Sequence, residues 1–170
     1  MFKLIELTPE LEESFNSYLS EWIQSGEAIV PSASAKGAEA YSQFLEKLNE
    51  GKTDIVRRRG WVPATLYFLV DEQNYLYGSV HLRHELNEAL VNLGGHIGYG
   101  IRPSERHKGY ATKMLALALD KARNLQLKRV LLTCDQNNIG SAKTILHNGG
   151  VLENELRHGE RITQRYWIEL

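Results

Sequence analysis

The chain has 170 residues, a length that suits one domain and allows a real hydrophobic core. A hydrophobic fraction of 42% and a charged fraction of 24% are those of an ordinary globular protein. Lys+Arg at 20 against Asp+Glu at 21 give a formal net charge of -1, so no basic excess is present to neutralise nucleic-acid phosphates, and the single cysteine, Cys134, excludes an intrachain disulfide and a thiolate zinc cluster.

Met1-Phe2-Lys3-Leu4 turns acidic by Glu6 and lacks the basic, apolar, small-residue order of a secretory signal. No apolar run nears the roughly 20 residues that cross a bilayer. The expectation is a cytoplasmic protein with neither nucleic acid nor membrane as partner and no metal. A homodimer is compatible with the sequence.

In chain order, Phe2, Leu4 and Ile5 predict a short strand. Thr8-Pro9 predicts a helix start, with Thr8 as cap and Pro9 at the first helical position. Leu11, Phe15, Tyr18, Leu19 and Trp22 recur at helical spacing, and Ser25-Gly26 ends the run. Tyr41, Phe44, Leu45 and Leu48 mark a second helix closed by Asn49-Glu50-Gly51. Ala64–Val70 and Tyr75–Arg83 read as strands joined through a polar turn, and Gly95–Arg102 as another. A periodic helix containing Leu115–Arg123 follows, with Ala111, Met114, Leu115, Ala118, Leu119 and Ala122 on one face. Arg129–Cys134 predicts an apolar strand, Ser141–His147 a helix ended by Gly149-Gly150, and the last residues two strands around a His158-Gly159 turn. No repeat or linker divides this series. It predicts a mixed α/β (α+β) sheet in a single domain over residues 1–170.

The informative passage is Gly98-Tyr99-Gly100-Ile101-Arg102-Pro103-Ser104-Glu105-Arg106-His107-Lys108-Gly109-Tyr110-Ala111. A strand runs through a turn into an amphipathic helix, and small residues let a ligand approach the backbone. Helix-start amides without acceptors, together with the helix dipole, suit phosphate groups. Arg106 and Lys108 add positive charge.

Arg106, Gly109 and Ala111 fill a Gln/Arg-x-x-Gly-x-Gly/Ala pattern, and Pro103 precedes it. With Arg129–Cys134, Asn138, Ser141 and Gly149-Gly150, the passage resembles the GNAT superfamily of N-acetyltransferases over almost the whole chain. Gly94-Gly95-His96-Ile97-Gly98-Tyr99 with Arg102-Pro103-Ser104 is similar to a branch of uncharacterised predicted bacterial acetyltransferases. The resemblance implies a central twisted, mostly antiparallel sheet with a splayed central strand pair, flanked by helices. It implies acetyl-CoA as co-substrate, with its pantetheine arm paired to Tyr99-Gly100-Ile101, its pyrophosphate on Arg106, His107, Lys108, Gly109, Tyr110 and Ala111, and Asn138 against the arm. It also implies transfer of an acetyl group to a primary amine of a small molecule or peptide, by direct attack on the thioester. Acceptor specificity in such proteins comes from the early helices and loops, here Trp22–Tyr41, and from the final hairpin.

The resemblance breaks at Ile145, where the family often has an acid tyrosine, and this leaves a non-catalytic acyl-CoA-binding regulatory module as the alternative. Tyr166 and Tyr99 are the candidate proton donors, each with a plain core role as its competitor. His96 and Asp135 are the candidate bases, against a core histidine and a turn residue. Asn138 reads equally as a helix cap. Arg83 and His84 at a strand end are candidates for binding the acceptor, against a solvated strand end. Cys134 reads as a buried structural thiol.

Overall fold

The computed structural model describes residues 1–170. The chain runs β1 (Lys3–Ile5), α1 (Glu12–Ser25), α2 (Tyr41–Gly51), β2 (Ala64–Val70), β3 (Leu76–Arg83), α3 (Glu88–Asn92), β4 (Ile97–Ile101), α4 (Tyr110–Asn124), β5 (Arg129–Asp135), α5 (Ile139–His147), β6 (Val151–His158) and β7 (Arg161–Glu169). Strand order is β1-β2-β3-β4 in one sheet and β5-β7-β6 in the other, with every pairing antiparallel. One isolated bridge, Gly95 to Leu132, joins the two sheets.

Each side of this divided layer has its own core. Phe15, Tyr18, Leu19 and Trp22 of α1, with Tyr41 and Phe44 of α2, cover Leu66, Phe68 and Leu76. Phe15 and Tyr18 stand edge-on to Phe68, with ring centroids 5.9 and 5.5 Å away. On the opposite side Met114, Leu115, Ala118, Leu119 and Ala122 of α4 pack with Val80, Leu82, Ile97, Ile101, Val130, Leu132 and Ile145. A fully buried side chain of this size stabilises the fold by about 1.5–3 kcal/mol, so these two stripes hold the sheet faces and leave the strand edges to other interactions. The Tyr18 hydroxyl, buried with its ring, meets Ser79 Oγ at 3.0 Å and is thereby satisfied.

Three local expectations change. Thr8 makes no side-chain cap, and Pro9–Leu11 forms a 3-10 turn ahead of α1, because the proline-led turn tightens before the helix starts. Another 3-10 segment, Asp54–Arg59, and the five-residue α3 appear where no periodicity predicts them, both being too short to show one. α3 depends on its cap: Asn87 Oδ1 accepts the Leu90 amide at 3.0 Å. No helix is long and apolar enough to cross a membrane.

β4 is held at its far end by Arg102, which is buried and ion-paired to Glu21 of α1, with its guanidinium 4.5 Å above the Tyr75 ring. Glu21 also accepts the Ser104 amide at 2.7 Å, fixing the turn that follows β4. The α1–α2 linker crosses the same strand, and a Cβ placed on Gly100 would collide with the carbonyl of Val30. Gly100→Ala should therefore lower stability by roughly 1–3 kcal/mol, as overpacking does, measured by denaturant unfolding. Gly51→Ala, which meets nothing within 4 Å at the end of α2, should be neutral or mildly stabilising.

Candidate functional site

The turn into α4 exposes a row of amides. His107 (φ 61) and Gly109 (φ 83) are both left-handed, and this alternation with their neighbours turns successive N–H groups to one side. The amides of His107, Lys108, Gly109, Tyr110, Ala111 and Thr112 have no acceptor in the chain; the first bonded amide is that of Lys113, to the Gly109 carbonyl at 3.2 Å. A helix start alone accounts for four unbonded amides, so the turn adds to the row. A Cβ on Gly109 would meet nothing within 4 Å, which leaves the hollow open to a ligand. These features fit a pyrophosphate.

The side chains there do less than the sequence suggests. Arg106 turns inward: Nε donates to the Ile101 carbonyl at 3.3 Å, an Nη pairs with Glu27 at 2.9 Å, and the guanidinium lies 5.1 Å from the Trp22 ring centre. Lys108 pairs with Glu105 at 3.0 Å. The Tyr110 ring packs against Tyr77 and Phe2, so this residue offers its amide and not its side chain. His107 is exposed, and Ala111 half-buried.

The hollow opens onto the gap between β4 and β5. β4 pairs with β3 from Ile97 to Ile101, and the Arg102 amide bonds to the Tyr77 carbonyl at 2.9 Å. Strand alternation then turns the backbone groups of Ile97, Tyr99 and Ile101 toward the gap. The closed end is fixed by His96, whose amide donates to the Leu131 carbonyl at 2.7 Å while its Nδ1 accepts the Leu131 amide at 2.9 Å. Beyond it, only side chains cross. The Tyr99 hydroxyl meets Ser141 Oγ on α5 at 2.9 Å, beside Cys134 of β5. Burial pushes the Tyr99 phenol up to about 12 and also raises the Cys134 thiol, with the Ser141 hydroxyl countering in both cases. Ser141 is the member of this cluster that the sequence does not single out for chemistry, because only folding brings it to Tyr99.

Both candidate bases are occupied. His96 is buried, with one ring nitrogen accepting a backbone amide, and burial lowers its pKa to about 4. It is a structural pin. Asp135 accepts the Asn137 amide at 2.9 Å through one oxygen and pairs with Arg161 at 3.0 Å through the other, which makes it a turn and ion-pair residue. Tyr166 donates to Gln164 at 2.7 Å from within the core, and burial raises its pKa. Asn138 caps α5, its Oδ1 accepting the Ser141 amide at 3.1 Å. Ile145, in the position expected to hold an acid tyrosine, is fully buried.

On the α1/α2 side of the sheet lies a cavity of about 720 Å3 between α2, Trp61, α3 and strands β2 and β3. Arg83 lines it. His84 does not: its Nε2 lies 2.8 Å from Thr65 Oγ1, outside the lining. The cavity imidazole belongs to His81, which sequence reasoning missed because alternation along β3 becomes informative only when the covered face is known.

The sequence matches the acetyltransferase (GNAT) domain over residues 6–151, and the chain belongs to that family. No curated protein matches the sequence. Among solved structures the fold is similar to mutant forms of the spermidine/spermine N-acetyltransferase SpeG from Vibrio cholerae, at 19% identity and TM-score 0.64, covering 99% of this chain and 95% of that one. It is also similar to an acetyltransferase of Salmonella typhimurium that modifies the N-terminal serine of a 50S ribosomal subunit protein, at 16% identity, TM-score 0.68 and the same coverage. A ribosomal alpha-N-protein acetyltransferase solved with coenzyme A, disulfide-bonded to one of its cysteines, has 15% identity and TM-score 0.70, covering 99% of this chain and 94% of that one.

His81 and His96 together set an acid limit. Burial is the main cause that lowers each to about 4 in the fold, against about 6.5 in an unfolded chain. As pH falls, the unfolded chain takes up these protons first, so the stabilisation is complete above about 6.5 and is lost on the way to 4. Stability measured by urea unfolding should fall across that window, and His96→Gln should flatten part of the slope.

Proposed function

We propose that the chain transfers an acetyl group from acetyl-CoA to an amine by direct attack on the bound thioester, and that residues 1–170 form one catalytic unit. The row of six unbonded amides from His107 to Thr112, opening onto the β4–β5 gap, carries this reading. When bound, acetyl-CoA supplies the activated acetyl group. The amides around Gly109 hold its pyrophosphate, and the free edge of β4 at Ile97 and Tyr99, with the amide of Ile101 whose carbonyl Arg106 already occupies, bonds the pantetheine arm as an added strand would. Asn138 keeps its cap through Oδ1, and its side-chain nitrogen is left to donate to the arm.

The Tyr99 and Ser141 hydroxyls are assigned to the leaving sulfur. A phenol pushed up to about 12 holds its proton more firmly than a thiol near 8.5. Tyr99 therefore stabilises the departing thiolate by donating a hydrogen bond, while water passes the proton that the amine loses on forming the amide to that thiolate. This replaces the tyrosine that Ile145 displaces. Cys134 lies beside the same Ser141 hydroxyl.

The solved neighbours act on polyamines and on protein N-termini, so both classes belong in the decisive experiment: thiol release from acetyl-CoA across polyamines, amino acids and peptides. Release with any of them supports transfer. Tight binding without release from the whole panel identifies a regulatory binding module instead. Gly109→Leu should weaken acetyl-CoA binding more than tenfold by calorimetry, at a fold cost of about 1–2 kcal/mol for a side chain at positive φ. Unchanged affinity would remove the pyrophosphate from this turn. Tyr99→Phe combined with Ser141→Ala should lower kcat by roughly 10²-fold, with the cofactor KM little changed.

A further inference from the structure

We propose that the acceptor amine also carries a carboxylate, which ion-pairs with Arg83 in the cavity under α2. This rests on the transferase reading and narrows its acceptor.

The volume of about 720 Å3 falls within the ordinary range for small-molecule sites. Phe44, Leu48, Trp61 and Leu90 give it apolar walls. Its charges are unevenly satisfied. Glu39, the single carboxylate of the lining, is taken by Lys47 at 2.8 Å, and Arg59 pairs with Glu50 at 2.6 Å. Arg83 has no carboxylate partner. One of its nitrogens donates to the carbonyls of Gly94 at 3.3 Å and Gly95 at 3.0 Å, and its remaining donors have no partner in the chain. Burial lowers the Arg83 pKa, the signature of a cation withdrawn from water without a counter-ion. His81, neutral at physiological pH, stands in the same lining and leaves the guanidinium uncontested.

That chemistry selects an anion. A second ammonium, as on a polyamine, would meet Arg83 with no free carboxylate to receive it, and such a like-charge contact is unfavourable. A carboxylate fits the planar donor fork of arginine. Position supports the same assignment. The carbonyls that orient Arg83 belong to Gly94 and Gly95, and Gly95 bridges to Leu132 where the gap closes. From Gly95 to Tyr99 is four residues of extended chain, about 13 Å. Carboxylate and amine must therefore stand several bonds apart, as in an ω-amino acid or a short peptide.

Three amines of one chain length separate the possibilities: aminohexanoate, hexylamine and hexanediamine, each tested by thiol release from acetyl-CoA with the unmodified protein. Aminohexanoate should exceed the others in kcat/KM by at least about tenfold, the worth of one charge-assisted contact. Equal use of the three, or preference for hexanediamine, overturns the proposal. A second measurement needs no transfer. Hexanoate should raise the His81 pKa, followed by NMR, through its negative charge, whereas hexanol should not, and Arg83→Gln should abolish the effect while Arg83→Lys retains part of it. An unmoved His81 in the unmodified protein sinks the carboxylate site whatever the kinetics. A moved His81 with no thiol release from any amine leaves the anion site standing and refutes the transferase reading.

Discussion

The two bonds between His96 and Leu131 decide the character of the molecule. They join the half-sheets at one point, and beyond that point no backbone ladder continues. An unpaired strand edge inside a fold is costly unless something bonds to it. Here the free edge of β4 faces a slot that leads to the unbonded amides of the α4 turn, so the unsatisfied backbone groups are grouped along one path. The side chain of His96 takes part in the stitch, which is why an imidazole is buried there in its neutral form with its Nδ1 lone pair held by the Leu131 amide.

Much of this was legible in the sequence because it depends on neighbours in the chain. The α4 stripe from Met114 to Ala122, the α1 stripe from Phe15 to Trp22, and the Arg106–Ala111 turn are each local patterns, and the structure repeats them. The divided sheet followed from the family resemblance and is present. What sequence could not supply were partners distant in the chain. Asp135 is claimed by Arg161, Arg106 by Glu27 and Trp22, and the Tyr99 hydroxyl by Ser141, none of which any spacing rule brings together. Trp22 and Tyr41, placed in the specificity region by resemblance, are core residues, with the Tyr41 hydroxyl bonded to the Thr8 carbonyl.

Two arginines at opposite ends of β4 show what a buried cation requires. Arg102 is sunk into the fold and has everything it needs: Glu21, Ser17 and the face of Tyr75. Arg83 sits in a cavity wall with only peptide carbonyls. Desolvation of a charge is tolerated when a counter-charge follows it. The first arginine is therefore complete within the chain, whereas the second keeps donors free in the cavity wall.

Since nothing but side chains crosses the slot past His96, its breadth is a matter of side-chain size and not of ladder geometry. Exchanging residues at positions 99, 134 or 141 widens or narrows the passage without breaking one rung of either half-sheet. The architecture thus separates the residues that keep the chain folded from those that set the breadth of the slot.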